Sequence, residues 1–173
     1  AYSPDVAGKV NRFIVEKGRG KLVKDVEDMY TIIDSLIVCK FSRGTYYEGF
    51  KDLAKLYTLV TGIEMSPEQL RIAGEGLNNL GRLFNIREGF TRKDDHMPIK
   101  VMTTPIPDEG VAKGSHVTQK ELDFLLDDYY EVRGWTKDGV PTIEKLNEVG
   151  FNDLVYIVKP KIEKPEKKAG KED

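Results

Sequence analysis

The apolar residues of this chain recur mainly three and four positions apart, the spacing of one face of an α-helix. Over residues 21–41, Leu22, Val26, Met29/Tyr30, Ile33 and Leu36/Ile37 follow that rule. The run Leu36-Ile37-Val38-Cys39 at its end is apolar all round, which predicts burial on every side. A second helix is predicted over 48–60, with Phe50, Leu53, Leu56, Tyr57 and Val60 inward and Thr61-Gly62 as its stop. Ser66-Pro67-Glu68-Gln69 then places a hydroxyl at the N-cap, proline at N1 and glutamine at N3, the pattern of a capping box. The helix it opens should bury Leu70, Ala73, Leu77, Leu80 and Phe84 and run towards Glu88. Gly74, Gly76 and Gly81 lie within it, each costing about 1 kcal/mol against alanine. Close approach of a neighbouring helix is the expected reason for them.

From residue 89 to 117 the period is lost, and Pro98, Pro105, Pro107, Gly110 and Gly114 interrupt the chain. Phe90, Met97, Ile99 and Ile106 remain, so this is expected to be a long ordered loop packed on the domain. Thr118-Gln119-Lys120-Glu121 is a second capping box, opening a helix that carries Leu122, Leu125/Leu126, Tyr129 and Val132 and closes at Gly134. A short helix is predicted over 142–149, between Thr142 and Gly150. Residues 154–158, Leu-Val-Tyr-Ile-Val, read as a terminal strand or extended strip. The tail 159–173 is nearly all Lys, Glu, Pro and Gly and is expected to be disordered. The fold class that follows is all-α: a multihelical domain over 1–158 with a long ordered loop, then a disordered charged tail over 159–173. There is no internal repeat.

Composition narrows the function. At 173 residues the chain fits one domain, and 39% hydrophobic residues suffice for a core. Charged residues reach 32%, yet 27 basic against 29 acidic residues leave a net charge of −2. That balance gives no electrostatic reason to expect nucleic acid or a membrane surface as partner. No stretch approaches the roughly 18 apolar residues of a membrane span, and no secretory pattern is present at the N-terminus. A single cysteine rules out an internal disulfide framework, and the expected compartment is the cytoplasm.

That cysteine, Cys39, ordinarily reads as a small core residue, because free cysteine is among the most buried residue types. Asp34, five positions earlier in an otherwise apolar run, alters the reading. A carboxylate in a buried helix is costly unless paired or hydrogen-bonded, so a partner is expected: a basic residue, the backbone, or the polar edge of a ligand. Five residues are about 500° of helix, so an unbroken helix sets Asp34 and Cys39 roughly 140° apart. A sharp turn near Val38 would instead wrap the chain around a ligand. His96 beside Asp94 and Asp95 reads as a capped turn rather than a metal site, and His116 as a surface residue. No nucleophile–base pair stands out, so no catalytic acid or base is assigned.

Three segments carry a family resemblance: Asp34-Ser35-Leu36-Ile37-Val38-Cys39; the passage from Gly81 to Pro98 (GRLFNIREGFTRKDDHMP); and Tyr129-Tyr130-Glu131-Val132-Arg133-Gly134-Trp135 with Gly139-Val140-Pro141-Thr142. In this order they resemble the C-terminal helical part of the tungsten-containing aldehyde ferredoxin oxidoreductases. The resemblance implies that Asp34 bonds the edge of a pterin and that Cys39 is the fourth thiolate of a 4Fe–4S cluster, with Val38 and Lys40 flanking the pterin. The family usually has glycine and leucine where this chain has Ile37 and Val38.

By the same resemblance, the intact enzyme oxidises an aldehyde to a carboxylate at tungsten (or molybdenum) held by two pterins and passes electrons through the cluster to ferredoxin. The other three thiolates belong to upstream domains, and a homodimer is compatible with the family. This chain would supply one thiolate, part of the pterin cradle and one wall of the substrate channel. Alone it is expected to be inactive, since one thiolate cannot hold a cubane. The alternative is a cofactor-free helical scaffold or interaction module, which an exposed Cys39 and an iron-free purified protein would favour.

Overall fold

The computed structural model describes residue 11 and residues 13–45, 49–107 and 109–162. Among these residues seven α-helices follow one another: α1 Arg19–Ser35, α2 Phe50–Thr61, α3 Pro67–Arg87, α4 Ile99–Thr103, α5 Gln119–Arg133, α6 Ile143–Glu148 and α7 Val155–Ile162. Three 3-10 turns, Lys40–Thr45, Arg92–Asp94 and Asn152–Leu154, join them. Among the described residues there is no strand, only an isolated bridge between Trp135 and Pro141. The all-α expectation holds. No described helix is long and apolar enough to cross a membrane.

Helix starts follow their local chemistry. The Ser66 hydroxyl accepts from Gln69 N while the Gln69 side chain accepts from Ser66 N, and Thr118 with Glu121 repeats the exchange at α5. Gly62 and Gly134 close α2 and α5 in the left-handed conformation. The N-terminus of α1 is capped from across the fold instead: the Asp128 carboxylate of α5 accepts from Gly18 N at 3.0 Å and Gly20 N at 2.6 Å. At Gly20 a Cβ would stand 2.6 Å from the Asp128 carbonyl, so α1 and α5 touch backbone to backbone.

Helix α1 packs on both α3 and α5, α2 on α3, and α7 on α3 and α6. Two apolar clusters result. One joins Ile32 and Ile33 of α1 to Leu53, Ala54 and Leu70; the other joins Leu83 and Ile86 to Val140, Leu146 and Val158. Helix α3 runs through both, and its buried residues between them are Gly74, Glu75, Gly76, Asn79 and Arg82.

Several expectations change here. The predicted inner stripe of α3 fails beyond Leu70: Ala73 is exposed, as are Leu77, Leu80 and Phe84 at 37%, 42% and 55%, while Glu75, Asn79 and Arg82 are buried. Lys24 of α1 and Lys145 of α6 neutralise Glu75, Asp95 of the following segment neutralises Arg82, and Trp135 donates to Asn79, so burial follows pairing rather than hydropathy. Of the three glycines, Gly74 meets a neighbour closely, its Cβ position lying 2.6 Å from the Asp28 carbonyl; Gly76 has ordinary contacts and Gly81 faces open space. Val60 is exposed. Residues 155–162 form α7 rather than a strand, because Val158 fills the second cluster, and the helix runs four residues beyond the predicted domain end at 158. The remainder of the predicted disordered tail, 163–173, lies outside the described residues. The segment 89–117 contains α4 and a 3-10 turn, and Phe90, Ile99 and Ile106 remain exposed on it.

Candidate functional site

Helix α1 ends at Ser35 in a tight reversal. Ile37 N donates to the Asp34 carbonyl at 3.0 Å and Val38 N to the Ile33 carbonyl at 3.0 Å, the paired bonds of a Schellman motif. Ile37 occupies its left-handed position, φ 56°, the one non-glycine with positive φ among the described residues. A β-branched residue there is strained by about 1–2 kcal/mol. Glycine is the residue this geometry favours.

The reversal decides between the two geometries left open by spacing: Asp34 is on the last turn of α1 and Cys39 lies beyond a sharp turn. Both are exposed, as is Lys40, whose Nζ sits 4.8 Å over the Tyr30 ring. Val38 packs on the first apolar cluster. The expected burial of Leu36-Ile37-Val38-Cys39 is therefore wrong in part. Ile37 is 93% and Phe41 96% exposed, because the helix stripe stops at Ser35 and the reversal sends alternate residues outward. The expected partner of Asp34 is absent among the described residues; in solvent the carboxylate needs none.

Two turns and more before this reversal, α1 shares a buried ionic layer with α3, α5 and α6. Arg133, fully buried, donates through Nη1 to Asp28 Oδ1 and through Nη2 to Glu27 Oε2, each at 2.6 Å. Asp28 also accepts from Lys24 Nζ and Asn78 Nδ2 at 2.8 Å. Glu75 gathers Lys145 at 2.8 Å, Lys24 at 3.0 Å and Arg71 at 3.3 Å. Burial opposes ionisation of Glu75, but Lys145 and Lys24 outweigh it and hold its pKa below the ordinary carboxylate value. Likewise burial disfavours the Arg133 charge, and Tyr129, Asp28 and Glu27 more than restore it. Every buried side-chain polar atom among the described residues has a partner. Sequence reading missed this layer; an unusual density of charge on the inner faces of α1 and α3 was its only local sign.

An open cleft of about 1210 Å³ lies between the segment 97–117, α1, α3 and α5. Val23, Val101, Ile106, Leu122, Leu125 and Leu126 make its apolar walls. Its floor is aromatic: Trp135 packs edge-on to Tyr129 and tilted against Tyr130, both at 5.7 Å between centroids. Tyr129 OH donates to Glu27 Oε2, and Tyr130 OH donates to Asp95, which also takes Arg82 in a two-pronged pair at 2.6 and 2.8 Å. Burial first, then these carboxylate acceptors, push both tyrosine pKa values up. Asp94 caps Thr91 as expected of a loop-fixing residue, and His96 and His116 are exposed.

The description "Aldehyde ferredoxin oxidoreductase, domains 2 & 3" matches residues 1–151. Tungsten-containing aldehyde ferredoxin oxidoreductases of Pyrococcus furiosus and Pyrococcus abyssi are 34% and 32% identical over 88% of this chain. The chain spans 25% of the length of each. A solved structure, the active site complex BamBC of benzoyl coenzyme A reductase with 1,5-dienoyl-CoA, superposes with a TM-score of 0.63 at 26% identity, covering 84% of this chain and 21% of that one. The shared sequence over residues 1–151 leads to one conclusion: this chain belongs to the aldehyde ferredoxin oxidoreductase family.

Proposed function

We propose that the chain is the C-terminal part of a longer oxidoreductase that converts aldehydes to carboxylic acids, in which Cys39 ligates a 4Fe–4S cluster and Asp34 holds a pterin. One observation supports the reading: across the Ile37 reversal, the helix end presents an unengaged carboxylate and a free thiol five positions apart, both open to solvent. That donor set fits the groups. A cluster iron needs an accessible thiolate, and the N–H edge of a pterin needs a carboxylate acceptor not already spent within the fold. When bound, the tungsten (or molybdenum) centre and cluster supply the two-electron chemistry and its relay to ferredoxin.

The residues of this chain do the holding. Asp34 accepts hydrogen bonds from the pterin, the Val38 backbone and Lys40 flank it, and Cys39 supplies one of four thiolates. The chain supplies one thiolate only, so upstream domains complete the cluster, and the chain alone is inactive. The exposed Ile37 and Phe41, together with the exposed stripe Ala73, Leu77, Leu80 and Phe84 on α3, suit burial against those domains. The cleft between α1, α3 and α5 forms one wall of the substrate channel.

A cofactor-free helical scaffold is the second reading, favoured by the same exposure of Cys39. Iron content separates the two. In the full-length enzyme, Cys39→Ser should lower iron per protomer and change the cluster EPR signal while the fold persists, since the change is nearly isosteric. Asp34→Asn should weaken pterin retention more than iron. A Cys39→Ser enzyme with full iron and an unchanged signal overturns the cluster assignment.

A further inference from the structure

The cleft carries a selectivity of its own. Its walls are aliphatic and its floor is the Tyr129–Tyr130–Trp135 group, surfaces that favour a flat apolar body. Of its carboxylates, Asp95 is engaged with Arg82 and Tyr130, and Glu121 with Thr118; Arg19 is paired with Glu16, and Lys100 stands on the wall formed by the 97–117 segment. Glu27 differs. Its Oε2 accepts both Tyr129 OH at 2.5 Å and Arg133 Nη2 at 2.6 Å, which fixes the side chain, while Oε1 has no partner among the described residues. The side chain is 43% exposed and lines the cleft. Clamped by a buried guanidinium and a tyrosine, it is a preorganised acceptor on the wall of a largely apolar cleft, where a donor is recognised and a second anion beside it is disfavoured.

We propose that this cleft binds an aryl compound bearing a hydroxyl group, its ring against the Tyr129, Tyr130 and Trp135 floor and its O–H donating to Glu27 Oε1. As a statement about substrate, the inference rests on the channel reading above and selects hydroxyaryl aldehydes from the aldehyde class. As a statement about binding, it concerns this chain alone and needs no cofactor.

Three probes of equal body decide it: 4-propylphenol, 4-propylanisole and 4-propylbenzoate, titrated calorimetrically into the 173-residue chain and followed by emission of Trp135, its sole tryptophan. The phenol should bind about tenfold more tightly than the anisole, which lacks the donor, and the benzoate most weakly. Glu27→Gln keeps an acceptor for Arg133 and Tyr129 but offers an amide N–H to the cleft. It should bring phenol and anisole to within about twofold and improve the benzoate. Leu125→Ala should weaken all three by removing part of the apolar wall. No binding, equal affinities, a preference for the benzoate, or a folded Glu27→Gln chain with the parent ranking each overturns the inference. The parent ranking decides it alone if that variant does not fold. Its failure leaves the iron test of Cys39 standing, and an iron-replete Cys39→Ser enzyme leaves the ranking standing.

Discussion

Arg133 of α5 and Asp28 of α1, separated by 105 positions in sequence, meet at 2.6 Å with the guanidinium fully out of solvent. A buried pair of this kind adds little net energy as a pair, yet removing one member strands the other charge. Arg133→Met should therefore destabilise the fold by about 3–5 kcal/mol, read by chemical denaturation. Removing both charges, with Asp28→Asn added, should recover part of that loss. A single-variant cost under about 1 kcal/mol would show that Lys24 and Asn78 satisfy Asp28 unaided.

Ile37 holds a conformation that glycine adopts without strain. Its side chain is 93% exposed, so its removal forfeits no packing. Ile37→Gly should stabilise the chain by about 1 kcal/mol and raise Tm by about 2–4 °C. A fall in Tm would mean that the isoleucine makes contacts the fold does not reveal.

The two glycines Gly74 and Gly81, seven positions apart on α3, should respond oppositely to alanine. At Gly74 the new methyl meets the Asp28 carbonyl at 2.6 Å and must push α1 from α3, costing about 1–3 kcal/mol. At Gly81 it enters open space in a helix interior and should gain about 0.5–1 kcal/mol. Thermal unfolding of both variants gives the two signs, and equal signs would refute the close crossing.

Glu75 sets an acid limit. Its folded pKa lies below the ordinary 4.5, so the unfolded chain takes up its proton first as pH falls. The stability it contributes is complete above about pH 4.5 and is lost as pH drops through the folded value. Glu75→Gln should lower stability at pH 7 and flatten its decline below pH 4.5, measured by urea midpoints across pH. An unchanged acid slope in the variant would assign the limit to other carboxylates.

What could be read from sequence was mostly local. The Ser66 and Thr118 capping boxes place α3 and α5 because a cap needs only four consecutive residues. The turn at Asp34 and Cys39 was legible through resemblance, while its exposure was not, since four apolar residues look alike until the helix is known to stop at Ser35. The inner face of α3 was misread because Leu77, Leu80 and Phe84 outweigh Glu75 and Arg82 on any hydropathy scale. Lys145, Lys24 and Asp95, drawn from distant segments, reverse that balance. Residues 154–158 carry strand-favouring side chains, and docking of Val158 into the second cluster overrides that preference.

The capping of α1 by Asp128 has a consequence for the order of events in the cell. A ribosome delivers Asp34 and Cys39 about ninety residues before Asp128 and Arg133, at a pace of about 5–20 residues per second. For several seconds α1 has neither its carboxylate cap nor the guanidinium that neutralises Asp28. Its final seating therefore waits until Asp128 and Arg133 have been added and α5 can dock. The turn after α1 is thus carried by a helix whose start and whose buried Asp28 are completed only when the C-terminal half of α5 has been made.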